Sequence, residues 1–230
     1  MQTTYMMKPI AHICCDFPDK FGIPRQSGLI DSLKAEIIFE PDYRNPDAFR
    51  GLADYSHVWL IWGFSESIRH QWSPTVRPPR LGGNTRIGVF ATRSPFRPNP
   101  IGLSSVLLER IELHTNQGPI LHISGADLMD GTPIFDIKPY LPYVDSHPEA
   151  SEGFGGPLKN STLSIECPPE LLKQIPEAKR EALIDLLTQD PRPSYQNDPE
   201  RIYGLRFAQM EIKFRVENKT AYVISICQDI

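Results

Sequence analysis

The sequence predicts a mainly β protein: a β-barrel N-terminal domain over residues 1–150 and a small α+β C-terminal module over 151–230. Three observations predict it. Short apolar runs of strand length follow one another through the first two thirds, each bounded by turn residues. The chain has 23 prolines in 230 residues, about twice the usual share, which disfavours long helices. After SEGFGGP, a Gly-rich linker at 151–157, the pattern changes to strand, helix, strand, strand.

The elements follow in order. Ile10–Cys14 reads as a first strand and is followed by FGIPRQSG, a loop punctuated by proline and glycine. Leu33–Phe39 (LKAEIIF) reads as a strand, and Pro46–Leu52 as about one helical turn. His57–Phe64 (HVWLIWGF) is the most apolar run, and its length and aromatics favour a buried strand. Ile87–Ala91 reads as a short strand. Ser105–His114 (SVLLERIELH) fits a strand or a short helix; the NQG turn after it and the strand-like ILHISGADL favour strand. In the last third, Leu163–Cys167 is a strand. Pro176 is suited to the first position of a helix continuing over Glu177–Gln189, with Leu183, Ile184, Leu186 and Leu187 on its apolar face. Leu205–Val216 and Thr220–Cys227 flank ENK as a hairpin.

Composition excludes several classes. Apolar content of 40%, charged content of 23% and a net charge of −4 describe an ordinary globular chain, without a global signal for nucleic acid. Cys14 and Cys15 are adjacent, Cys167 and Cys227 stand alone, and no CxxC spacing suggests zinc or a disulfide framework. Neither a signal-like N-terminus nor an 18-residue apolar run is present. A reduced, soluble, cytoplasmic protein is expected, with no membrane contact. Dinucleotide, P-loop, zincin and nucleophile-elbow motifs are missing, and the histidines lack ligand spacing. A site without metal is expected.

Charge is unevenly placed. No Asp or Glu occurs between Glu66 and Glu109, a span that holds Arg69, Arg77, Arg80, Arg86, Arg93 and Arg97 with His70 and Trp72. Arginine offers planar, bidentate contacts to phosphate or carboxylate and stacks on bases. Interleaved with aromatics it suits an RNA-facing surface, although a solvated loop paired with acids elsewhere gives the same pattern. Four stretches concentrate polar groups on stiffened backbone. FGIPRQSG (21–28) projects Arg25 and Gln26 beside Pro24. YSHVWLIWGFSES (55–67) ends with Phe64 and Ser65 where a buried strand leaves the core. FATRSPFRPNP (90–100) carries Arg93, Phe96, Arg97 and Asn99. DLMDGTPIFDIKPYLPYVDS (127–146) begins with a turn at Asp130-Gly131-Thr132 and sets Asp136, Lys138, Tyr140, Tyr143 and Asp145 along a proline-stiffened extended segment, which reads equally as a Pro-rich connector that closes a barrel. Two such loops in one domain point to a preorganised site.

GVFATRSPFRPNPIGLS (88–104) is very similar to the signature of the TsaA/YaeB family. The PRQ loop, SHVWLIWGF and DGTPIFDIKPY match that family's other blocks in the same order, so the resemblance spans roughly residues 8–146. It implies a β-barrel core that binds S-adenosylmethionine and forms homodimers, with the site near the dimer contact. Bacterial members methylate N6 of threonylcarbamoyladenosine at position 37 of threonine tRNA, beside the anticodon. Carried over by position, the cofactor contacts are Pro24, Arg25, Gln26, Phe64, Ser65, Arg93, Leu103, Asp130, Gly131, Thr132 and Pro133. In the second block a polar residue is expected after Phe64, where this sequence has Ser65-Glu66.

The residues themselves add chemistry to that resemblance. An arginine suits the carboxylate of S-adenosylmethionine. The acceptor N6 carries a proton that must leave, and Asp136 or Tyr140 in DIKPY is expected to receive or orient it. Arg93 and Arg97 alternatively suit the threonyl carboxylate of the modified base, Asn99 suits pinning of the loop, and Lys138 lines the same polar segment. A base drawn from the anticodon stem-loop needs an aromatic partner such as Phe96 or Tyr140. The C-terminal module adds either RNA contacts through Arg201, Arg206, Lys213 and Arg215 or a structural lid or dimer element. Two other readings fit the arginine loop: a non-catalytic S-adenosylmethionine- or nucleotide-binding adaptor, and a methyltransferase acting on a small molecule.

Overall fold

Alternation of inward apolar and outward polar residues organises the first part of the chain. The computed structural model describes residues 5–68, 71–78, 81, 83–154, 162–193, 196 and 198–229. Its first strands are β1 (Ala11–Cys14), β2 (Lys34–Phe39), β3 (His57–Gly63), the short pair β4 (Thr75–Val76) and β5 (Ile87–Gly88), then β6 (Ile101–Glu112), β7 (Ile120–Ser124) and β8 (Pro133–Pro139). All except β4 and β5 close into an antiparallel barrel in the order β1-β2-β7-β6-β3-β8. Closure leaves this sheet without an edge. Ile13, Ile37, Leu60, Leu121, Ile123 and Ile134 fill the interior and are fully buried. Their branched side chains suit a pleated, enclosed surface. One interior position must be small. Gly102 pairs with Trp62 across β6 and β3, and a Cβ there would lie 2.2 Å from the indole ring.

The second unit begins after the helical turn α1 (Pro142–Asp145). Strand β9 (Ser164–Glu166) leads to α2 (Pro169–Leu172) and α3 (Glu177–Thr188), then β10 (Tyr203–Phe207), β11 (Met210–Glu217) and β12 (Thr220–Gln228). The sheet order is β10-β11-β12-β9, and only the β12–β9 pairing is parallel. Ala182, Leu183, Leu186 and Leu187 of α3 pack on Leu205, Phe207, Ile212 and Phe214. Phe17, Ile30 and Leu33, from the segment joining β1 to β2, belong to the same core. Gly22 in that segment has φ +92, and a Cβ there would meet Leu205 Cδ1 at 2.1 Å. The β1–β2 connection is therefore built into the C-terminal core.

Several boundaries differ from the sequence reading. The strand expected at Ile87–Ala91 stops at Gly88, and Val89–Ala91 forms a 3-10 turn. Strand β6 begins at Ile101, so the ambiguous run is a strand and a longer one than expected. Pro176 is the cap before α3 rather than its first residue, with extended ψ 135. The single strand expected at Leu205–Val216 is two strands, reversed at Ala208 and Gln209 with φ 52 and 62. A tight hairpin turn needs positive φ at both central residues, and Ala-Gln gives no sign of it. The second hairpin, at Asn218-Lys219 with φ 49 and 60, is where ENK placed it. Of the two readings of the proline-stiffened segment after Thr132, the connector that closes the barrel holds: Pro133–Pro139 is strand β8, paired with β1 and β3, with its prolines at the strand's two ends. The last residues of the expected linker, 155–157, lie outside the described residues, as do Arg69, His70 and Arg80.

Candidate functional site

The loop from 86 to 100 is held by its own side chains. Thr92 donates its backbone N–H and its hydroxyl to the Val89 carbonyl at 3.1 and 2.8 Å. Its hydroxyl accepts from the Ser94 N–H at 3.2 Å. Arg97 Nη1 donates to the Thr92 carbonyl at 3.2 Å. Arg97 thus braces the loop in addition to lining its surface. Pro95, Pro98 and Pro100 remove further freedom. Such a loop presents its groups with little left to order on binding.

Facing it is the segment between β1 and β2. Arg93 Nη1 donates to Gln26 Oε1, and Gln26 Nε2 donates to the Arg25 carbonyl. Gly28 N–H donates to the Gly125 carbonyl at 2.8 Å. Arg25 Nη2 reaches the other way, to the carbonyls of Asp190 and Arg192 at 3.1 Å each. The two loops, residues 67–68 and 71–78, and the turn after α3 line an open cleft of ≈ 2130 Å³. That exceeds the several hundred Å³ typical of a small-molecule pocket and leaves room for a cofactor and part of a macromolecule. Arg25, Arg77, Arg86, Arg93, Arg97 and Arg192 line it, against Glu152 and Asp190. Trp72 and Phe90 stand at its lip, 52% and 73% exposed, with ring centroids 6.2 Å apart.

A buried polar chain supports the cleft from below. Trp62 Nε1 donates to Ser104 Oγ at 3.0 Å, and Ser104 Oγ donates to Asp127 Oδ1 at 2.5 Å. Burial pushes the Asp127 carboxyl above its ordinary range; hydrogen bonds from Ser104, its own backbone and Ser27, and the charge of Arg93, pull it back down. Ser104 thereby ties Asp127 to the barrel interior. Asp127 heads the 127–146 stretch but had no role from the sequence, because a lone Asp carries no pattern; the strand expected over ILHISGADL stops at Ser124 and leaves Asp127 in the following loop. Asp190 and Arg192 were missed as well, for a different reason: they enter the cleft from the far end of the chain.

The cleft gathers Pro24, Arg25, Gln26, Arg93, Phe96, Arg97 and Asn99. It does not gather the rest of the expected site. Phe64 packs on Trp62, with centroids 4.3 Å apart, and Ser65 opens a 3-10 turn; Ser67 and Ile68 line the cleft in their place. Asp130–Pro133 tie back onto β1: Asp130 Oδ1 accepts from the Cys15 N–H at 2.9 Å, and Gly131 N–H donates to the Ile13 carbonyl at 2.9 Å. Leu103, Ile61 and Asp136 stand in register across β6, β3 and β8. Since Leu60 and Trp62 point inward, this row faces outward. Lys138 pairs with Asp136 at 2.8 Å, and Tyr140 packs on Trp59 with centroids 5.5 Å apart. The C-terminal cations are mostly engaged locally: Arg206 with Asp229, Arg215 with Glu217, Lys213 with Glu211 and Arg201 over the Tyr203 ring.

Among the described residues no group of His, Cys, Asp or Glu is placed to hold a metal ion, and no helix is long and apolar enough to cross a membrane. The four cysteines are free, and burial pushes the Cys15 thiol up to about 12.

Comparison with known proteins gives a consistent result along the whole chain. Residues 12–146 match the model of the tRNA-methyltransferase O N-terminal domain, and residues 161–229 match that of the TrmO C-terminal domain. A tRNA (adenine(37)-N6)-methyltransferase of Escherichia coli is 38% identical over 222 residues, covering 93% of this chain and 94% of its own. A Pseudomonas aeruginosa protein named provisionally as an S-adenosylmethionine-dependent methyltransferase is 38% identical over 217 residues, covering 91% of each chain. A crystal structure of TrmO from P. aeruginosa superposes with a TM-score of 0.80 at 32% identity, covering 99% of both chains.

Proposed function

The chain belongs to the tRNA-methyltransferase O family, and we propose that it methylates N6 of adenosine 37 in tRNA with S-adenosylmethionine as donor, as the names of its relatives describe for them. The observation that carries this reading is the arginine-lined cleft between the Pro24–Gln26 loop and the 86–100 loop. Its finer form takes threonylcarbamoyladenosine as the acceptor, in threonine tRNA. The cleft's arginines suit the threonyl carboxylate as well as phosphates.

The donor set of the cleft fits the cofactor. Bound there, S-adenosylmethionine supplies an electrophilic methyl group on a sulfonium. Pro24 fixes the backbone of its loop, Gln26 offers an amide, and Arg93 offers a guanidinium already aligned by Gln26. No metal is needed; what the residues must do is bring acceptor nitrogen and methyl into line. Trp72 and Phe90 offer stacking surfaces to a base leaving the anticodon loop. Arg77 and Arg86 suit the phosphates flanking it.

Leu103, Asp130–Pro133, Asp136, Lys138 and Tyr140 are read as parts of a site shared between two copies of the chain. Exposure of Leu103 at 57% and Ile101 at 38% supports a homodimer through this face of the barrel. In that arrangement Asp136 or Tyr140 receives or orients the N6 proton.

The test is transfer of labelled methyl from S-adenosylmethionine to two total tRNA preparations, one containing threonylcarbamoyladenosine and one from cells unable to make it. Label in the first alone, located on that nucleoside by mass spectrometry, is the expected result. Equal label in both would remove the threonylcarbamoyl group from the reading. Label in neither would remove the activity.

A further inference from the structure

Helix α3 ends at Thr188, and the N–H groups of Gln189 and Asp190 close its last turn by donating to Leu186 and Leu187 carbonyls at 3.2 and 3.1 Å. Asp190 then takes a left-handed conformation, φ 49, which aspartate adopts more readily than most residues. Arg192 locks this turn. Its Nε and Nη2 donate to the two carboxylate oxygens of Asp190 at 2.8 and 2.9 Å, and its backbone N–H donates to Oδ1 at 3.3 Å. The guanidinium also lies over the Tyr203 ring, 5.9 Å from the centroid. Both side chains are largely buried, with exposures of 10% and 17%.

A turn fixed this firmly holds two carbonyl oxygens in place, those of Asp190 and Arg192, and both accept from Arg25 Nη2 at 3.1 Å. The negative end of the α3 dipole adds to the pull on that guanidinium. Arg25 lies 165 residues earlier in the chain than Asp190. Its neighbour Gln26 is the residue that aligns Arg93. A continuous set of hydrogen bonds therefore runs from the C-terminal turn through Arg25 and Gln26 to the 86–100 loop.

We propose that the Asp190–Arg192 turn is a positioning element for cofactor binding: by holding Arg25 it fixes the Pro24–Gln26 loop, and with it the Gln26–Arg93 contact, in the form that accepts S-adenosylmethionine. This rests on the reading of that loop as the cofactor loop. Arg192 is then a positioning residue that acts through Arg25. The C-terminal module contributes to cofactor affinity, a role separate from any contact it makes with RNA.

Calorimetric titration of S-adenosylmethionine into the full-length wild type, Arg192→Ala, Arg25→Ala and the double variant tests this. Arg192→Ala is expected to weaken binding about tenfold, the size of one charge-assisted hydrogen bond. It is expected to raise KM for S-adenosylmethionine while KM for tRNA stays within about twofold. The double variant is expected to bind no worse than Arg25→Ala, because both changes break one connection. If Arg192→Ala lowers the folded fraction, Asp190→Asn carries the same comparison: it keeps the left-handed turn and one acceptor, and its loss is expected to be smaller. A role in stability alone would lower Tm and the active fraction and leave affinity unchanged. Wild-type affinity in the single variants of the turn, or losses that multiply in the double variant, overturns the coupling. Wild-type protein that takes up no S-adenosylmethionine overturns the cofactor reading beneath it, and the coupling with it.

Discussion

Gly102 shows how closely the barrel's interior is specified. The Trp62 ring occupies the space where a side chain would stand, and the ring cannot retreat because its Nε1 is bonded to Ser104. Gly102→Ala is expected to cost about 3 kcal/mol, at the upper end for overpacking a filled core, read as a lower urea midpoint at unchanged slope. Ser104 has the complementary role. It is buried at 1% exposure, accepts from the indole and donates to Asp127. Both partners of a buried hydroxyl are thus met, which avoids the penalty of leaving such groups unpaired. Below the cleft, packing and polar chemistry share the same few residues.

Among the elements, α3 does two things. Its inward face carries Leu183, Leu186 and Leu187 into the C-terminal core, and its end presents the turn that holds Arg25. Leu183→Ala is expected to destabilise by about 2–5 kcal/mol, the range for emptying a fully buried leucine site, measured by chemical denaturation. The sequence made α3 legible through its apolar spacing and made the barrel strands legible through short apolar runs between turn signals. Phe17 and Ile30 were harder to place, because they occupy no periodic element, and Leu33, expected as the first residue of a strand, lies just before β2; all three join the core built from α3 and the C-terminal strands. The two polar, proline-rich stretches looked alike, yet one is a cleft loop and the other is strand β8. Proline restricts the backbone in both settings and does not distinguish them. Half of the cleft could be read from FGIPRQSG and FATRSPFRPNP; its far wall could not, since a contact across 165 residues leaves no local trace.

At the scale of the whole molecule, the row Leu103, Ile61 and Asp136 faces outward from the barrel, with Leu103 57% exposed. If that face is the dimer contact, Leu103→Asp places a charge in it. The expected outcome is a monomer by light scattering, with an unchanged Tm for the barrel to within a few degrees and loss of most methyl transfer. A variant that stays dimeric and active would move the contact elsewhere and leave Asp136 and Tyr140 without a route to the cleft. The β1–β2 connection has a further consequence, which concerns the order of events during synthesis. Phe17 meets the Phe207 ring, 5.5 Å away between centroids, and Gly22 meets Leu205 only when the chain has been made that far. At ribosomal rates this is a wait of roughly ten to forty seconds. The Pro24–Gln26 loop lies inside that connection and is bonded to the Asp190 and Arg192 carbonyls, so a nascent chain is expected to close its barrel before its cleft is complete.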